Sequence, residues 1–157
     1  MKELILKNNS MKHLFKALLI SFVFVSCKQK IQSADIPKIN GYWEIEKVVF
    51  DKGEDKEYGA NQNYDYFQMD KNNQGIRKKV TPQLDGTFLV DDTFEKVSVR
   101  FQEDKAYLDY ATPYMKYTEE IIALTADELV LLNAQKKEYH YKKATAINIL
   151  GDGKKTK

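Results

Sequence analysis

From Asn40 to Lys143 the chain alternates apolar and polar residues with a period of two, and the runs are broken about every eight to twelve residues by Gly, Asn, Asp or Pro. Such a period places successive side chains on opposite faces of an extended chain. No window of helical period interrupts it. The spacing predicts strands over 41–50, 64–69, 76–82, 87–90, 94–102, 106–110, 114–124, 128–133 and 136–143, eight or nine in all. Asp70 to Gly75 and Asp85-Gly86 have turn chemistry, and links this short join only antiparallel neighbours. Asp51 to Asn63 reads as a longer connection. Closing the sheet removes its exposed edges, so the expected fold is all-β, a small antiparallel up-and-down barrel. The alternative is a β-sandwich.

The 157 residues make one domain, and 43% hydrophobic content is too high for disorder. Net charge is +2, but residues 1–26 hold four Lys and one Glu, so the remainder sums to −1. A near-neutral body lacks the basic stripe that draws proteins onto phosphate backbones, which argues against nucleic acid as a partner.

Those first residues form a unit of their own. Lys12-His13-Leu14-Phe15-Lys16 precedes an apolar run from Ala17 to Val25, then Ser26-Cys27. The run is about half of the ~20 residues a spanning helix needs, so it reads as a secretory signal. Either Met1 or Met11 is a suitable start. Phe24-Val25-Ser26-Cys27 resembles the lipobox of bacterial lipoproteins, and Cys27 is the sole cysteine. The resemblance implies cleavage after Ser26 and a lipid anchor on Cys27, with the domain held on a membrane of the bacterial envelope, the outer membrane first, facing periplasm or exterior. The expected division is 1–26 signal, 27–39 lipidated N-terminus and tether, 40–150 barrel with Ile147, Ile149 and Leu150 packed over one end, and 151–157 basic tail.

Gly41-Tyr42-Trp43, at the start of the first expected strand, is similar to the Gly-x-Trp that opens lipocalins. With Leu84 to Phe88, Leu124 to Leu131 and Tyr139 to Lys142, it resembles the lipocalin-like domains of small bacterial lipoproteins over roughly 40–143. That resemblance implies a basic residue near the end of the last strand packed on Trp43, with Lys142 and Lys143 as candidates. It also implies binding or carriage of a small hydrophobic or amphipathic ligand.

Taking Trp43 as inward, the alternation also turns Phe67, Met69, Ile76, Val80, Phe88, Val90, Val97, Val99, Phe101, Leu108 and Tyr110 inward. These fill a core or line an apolar pocket. Lys47 and Lys78 break the pattern. Either they meet the acidic head of a ligand at the mouth, with Tyr110, or a bulge or a snorkelling stem takes them to solvent. The ligand-contact set is therefore Trp43, Lys47, Phe67, Met69, Lys78, Phe88, Val99, Phe101, Leu108 and Tyr110. Arg77 and Lys79 fall on the other face as a solvated basic patch.

Material for catalysis is scarce. Past Cys27 there is one histidine, His140, and two serines, Ser33 and Ser98, too few for a nucleophile pair. A single His supplies no zinc or iron site, no Gly-rich phosphate loop occurs, and Asp51 to Glu57 lacks calcium-ligand spacing. Asp91-Asp92, Glu119-Glu120 and Asp127-Glu128 are adjacent pairs, and neighbours on a strand face opposite ways. The expectation is no enzyme, no cofactor and no metal. The competing reading is an envelope module with a filled barrel that binds a protein or glycan through outer tyrosines.

Overall fold

The computed structural model describes residues 30–144; the signal segment, Cys27, the Ile147–Leu150 cluster and the basic tail lie outside the described residues. Ten strands form: β1 Gly41–Val49, β2 Lys56–Glu57, β3 Tyr64–Met69, β4 Gln74–Pro82, β5 Phe88–Val90, β6 Glu95–Gln102, β7 Lys105–Ala111, β8 Lys116–Leu124, β9 Glu128–Asn133 and β10 Glu138–Lys143. Neighbours pair antiparallel, and β10 pairs back onto β1. The result is a closed barrel of eight strands, with β2 added to β1 and β5 to β4. It is the barrel, not the sandwich.

One end is plugged from before the first strand. A 3-10 helix spans Ser33–Ile39, and Ile31, Ile36 and Ile39 join the core around Trp43. Ile36 and Ile39 stand three apart, which a 3-10 turn eclipses onto one side. The tether reading of 27–39 is thereby corrected from Ile31 onward, because these apolar side chains cover the barrel floor.

Trp43 ties plug to barrel. Its Nε1 donates to the Ile39 carbonyl at 2.7 Å, and the Lys143 ammonium lies 4.2 Å from its ring centroid. Lys143 also donates to the carbonyls of Lys38 and Asn40, and burial lowers its pKa from the usual lysine range. Lys142 turns outward to Glu44 and Glu46, so Lys143 is the basic residue on the tryptophan. Gly41 makes this possible. Its φ of +111° suits glycine, and a Cβ there would stand 3.2 Å from Lys143 Cε.

Two registers decide which side chains face inward: the first agrees with the bulge alternative at Lys47, and the second departs from the sequence expectation. Between Ile45 and Lys47 the β1–β10 pairing slips, so that Ile45 faces Tyr141, Lys47 faces His140 and Val48 faces Tyr139. The bulge turns Lys47 outward, with Nζ 3.9 Å from Asp55, and buries Val48. On β4 the parity is reversed. Met69 pairs with Gly75 and Phe67 with Arg77, so Arg77 and Lys79 face inward while Ile76, Lys78 and Val80 face outward. The Asp70–Asn73 turn sets that register, since its Asp70 side chain accepts from the amides of Asn72 and Gln74 and Asn73 takes a φ of 59°. Phe88 is likewise outside, its ring stacked 3.9 Å from that of Tyr42. Val90 is exposed, and Phe101 keeps the inner parity but emerges at the strand end.

Replacing Ile39 with Ala removes fully buried methylenes from the plug and is expected to cost about 2–5 kcal/mol in urea denaturation. Lys47→Gln, at the outward bulge, is expected to leave stability within about 0.5 kcal/mol.

Candidate functional site

Arg77 occupies the inner face of β4 between Phe67 on β3 and Glu95 on β6. Its Nε donates to Glu95 at 2.6 Å and its Nη2 to the Tyr117 hydroxyl at 2.6 Å, which itself donates to Glu95 at 2.7 Å. The guanidinium lies 4.5 Å from the Tyr110 ring centroid, and Tyr110 stacks on Tyr117 at 4.6 Å. Asp65 and Glu119 each stand 3.8 Å away, and Lys79 holds Asp65 at 2.8 Å. All of this sits on the apolar floor of Phe67, Leu108, Leu129 and Leu131.

A charge inside a barrel is tolerated only when paired. Burial alone pulls the Arg77 pKa down, yet Tyr110, Asp65, Tyr117 and Glu95 outweigh it and leave the guanidinium above its ordinary range. Burial pushes the Glu119 carboxyl up, against the pull of Arg77. The same desolvation raises the Tyr110, Tyr117 and Tyr141 hydroxyls. Tyr110 Oη and Glu119 Oε2 are buried without good hydrogen-bond geometry.

An open concavity lies elsewhere. A cleft of about 840 Å³ opens at the rim between the 91–94 connection and the β7–β8 turn. Its lining comes from both faces of the wall: Lys96 and Ala111, paired across β6 and β7, and Lys78 have outer parity, whereas Arg77, Lys79 and Glu95 have inner parity. Lys78, Phe94, Lys96, Ala111, Pro113 and Tyr114 line it, with Arg77, Lys79 and Glu95 reaching it from the wall and Asp92 and Thr93 from the connection. Phe94 is 47% and Tyr114 96% exposed, an unusual presentation for large rings. Lys78 donates to the Asp91 carbonyl at 3.1 Å, which fixes one side.

The structure scatters the residues singled out from sequence. Trp43, Phe67, Met69, Leu108 and Tyr110 are packed in the core with Val99 partly buried against it. Lys47, Phe88 and Phe101 lie apart from the cleft, and of the ten only Lys78 lines it. Missed were Arg77, assigned to a solvated patch, and its partners Asp65, Glu95 and Glu119. Missed too were Phe94, Lys96 and Tyr114. Arg77 and Lys79 at alternate positions of β4, with an acid on each of the neighbouring strands β3 and β6, were the available signal. Among the described residues no group of three His, Cys, Asp or Glu side chains is placed to hold a metal ion.

A family model described as a lipocalin-like domain matches residues 39–131. Two solved structures are similar in fold. One is a lipocalin-like protein from Bacteroides uniformis, 13% identical, covering 68% of this chain and 99% of its own, with a TM-score of 0.45. The other is an uncharacterized protein from Bacteroides eggerthii, 11% identical, covering 67% of this chain and 98% of its own, with a TM-score of 0.42. No curated protein matches the chain.

The buried cluster has a pH signature. Because the folded state raises the Glu119 pKa, its neutral form is favoured on folding, and that contribution is complete below the unfolded value near 4.5 and lost as pH rises through the folded one. Glu119→Gln is therefore expected to gain stability relative to the parent as pH increases past 4.5, measured as the difference between urea midpoints across pH. Parallel curves would contradict a raised Glu119 pKa.

Proposed function

The chain belongs to the lipocalin-like domain family, a binding fold that is generally non-catalytic, and from that premise we propose a membrane-anchored lipoprotein of the bacterial envelope that binds a small amphipathic molecule. The binding surface in this reading is the rim cleft rather than the barrel interior. What carries it is the contrast between a core in which Trp43, Phe67, Leu108, Tyr110 and Leu131 are fully packed and an open cleft of about 840 Å³ at the rim, lined from both faces of the wall. That volume lies within the ~300–1,000 Å³ of small-molecule sites.

The anchor reading rests on the signal-like run that ends at Cys27. Its geometry is favourable for the cleft. Lys30 pairs with Asp104 in the β6–β7 turn at the plugged end, so three residues, no more than about 11 Å of chain, separate Cys27 from that end. A bilayer held there leaves the opposite rim open to water.

A second reading, a contact surface for a protein, draws on exposed Leu84, Leu89, Val90 and Met115, which share the rim side. Two measurements decide among these. Cys27→Ser is expected to release the protein from the membrane fraction and abolish incorporation of labelled acyl chain; persistence of both would remove the anchor. Native mass spectrometry of that variant, purified without detergent, is expected to show a retained small molecule that Phe94→Ala/Tyr114→Ala loses. An empty spectrum, with no binding of an apolar fluorescent probe, would leave the protein-contact reading in its place.

A further inference from the structure

Resting on the cleft reading above, we propose that the ligand is an amphipathic anion, its head among Lys78, Lys96 and Lys116 and its apolar part on Phe94, Pro113 and Tyr114. The cations inside the wall are already engaged. Arg77 is held by Glu95 and Tyr117, and Lys79 is paired with Asp65. The three outer lysines differ. None has a carboxylate within ion-pair distance among the described residues, and the one hydrogen bond from Lys78 goes to a backbone carbonyl.

Strand register brings them together. Lys96 on β6 and Lys116 on β8 both pair with Ala111 on β7, so they lie in one row about 9–10 Å apart with only a methyl between. Lys78 sits two residues beyond Ile76, the partner of Lys96, which makes Lys78 and Lys96 diagonal neighbours at about 7–8 Å. Like charges at such spacing repel, and an anion among them relieves the repulsion. The carboxylates nearby do not meet that need. Asp91 hydrogen-bonds Thr93 and is the carboxylate felt by Lys78, while Asp109 is turned onto Arg100 and Thr118 and Glu95 onto Arg77, which leaves Lys96 and Lys116 without an ion-paired carboxylate among the described residues. Ala111 lines both the main cleft and the adjoining hollow that Lys116 borders, which puts Lys116 at the edge of the cleft.

The test uses the chain from residue 27 onward with Cys27→Ser, which holds every element of the barrel, and three amphiphiles of one chain length below micelle formation: decyl sulfate, decyl maltoside and decyltrimethylammonium. Amide shifts at Phe94, Ala111 and Tyr114 report binding. Decyl sulfate is expected to bind on the order of tenfold tighter than the maltoside, with the ammonium weakest, and high salt to erase the difference. Lys96→Gln/Lys116→Gln is expected to bring the sulfate to the maltoside level while leaving the maltoside unchanged. Equal affinity for all three heads, or a preference that survives the double substitution, would overturn the anion and leave the cleft standing. Absence of shifts with every amphiphile would overturn the cleft itself and this inference with it.

Discussion

The pairing of Met69 with Gly75 across the Asp70–Asn73 turn decides which face of β4 is inside. Gly75 is required there, since a Cβ would lie 2.1 Å from the Gln68 carbonyl oxygen and 2.7 Å from Met69 Sδ. Two residues on, Arg77 must then face inward. A guanidinium stays charged at any ordinary pH, so its neighbours must supply acids. They come from three separate strands: Asp65 on β3, Glu95 on β6 and Glu119 on β8. One hairpin register thus determines that the upper half of the interior is an ionic and aromatic cluster instead of an empty apolar chamber.

That cluster and the Trp43 plug divide the interior between them. From the floor, Ile36, Ile39 and Trp43 fill the barrel, and Lys143 over the indole adds roughly 0.5–2 kcal/mol while closing the last strand onto the first. From above, Tyr110, Tyr117 and Tyr141 pack around Arg77, with Tyr110 and Tyr141 buried. Removing Arg77 would take the shared cation from Asp65, Glu95 and Glu119 at once, and an uncompensated buried charge costs about 3–5 kcal/mol. Opening room for a guest inside would therefore disrupt groups that depend on one another. The outer wall carries no such penalty, which is the physical reason to place recognition at the rim.

Strand positions were legible because they depend on local alternation and turn residues. β3 and β9 match their expected bounds, and Gly41-Tyr42-Trp43 opens the first strand as expected. Facing was less legible. On β4 both parities carry plausible inner residues, Ile76 and Val80 against Arg77 and Lys79, and hydrophobicity points to the wrong set. Val80 is buried even on the outer parity, beside Tyr64 and below Phe88, so its apolar character reflects a local cluster outside the barrel. The bulge at Glu46 left its mark as a lysine at 47 on an apolar parity, and it reverses Lys47 relative to Trp43. The 3-10 plug was obscured by its brevity and by Pro37, which read as a linker.

Arginine at 77 and lysine at 78 and 96 are not interchangeable. Position 77 has a flat slot between Glu95, the Tyr117 hydroxyl and the Tyr110 ring, where a planar fork donates twice and stacks at once. A lysine there would bring one compact charge, unable to span both oxygens while covering the ring. On the outer face no such slot exists, and flexible ammonium groups can gather around a head group of variable shape. Adjacent residues of one strand are therefore differently placed: the inward cation is consumed in holding the wall together, and the outward one makes its single hydrogen bond to a backbone carbonyl.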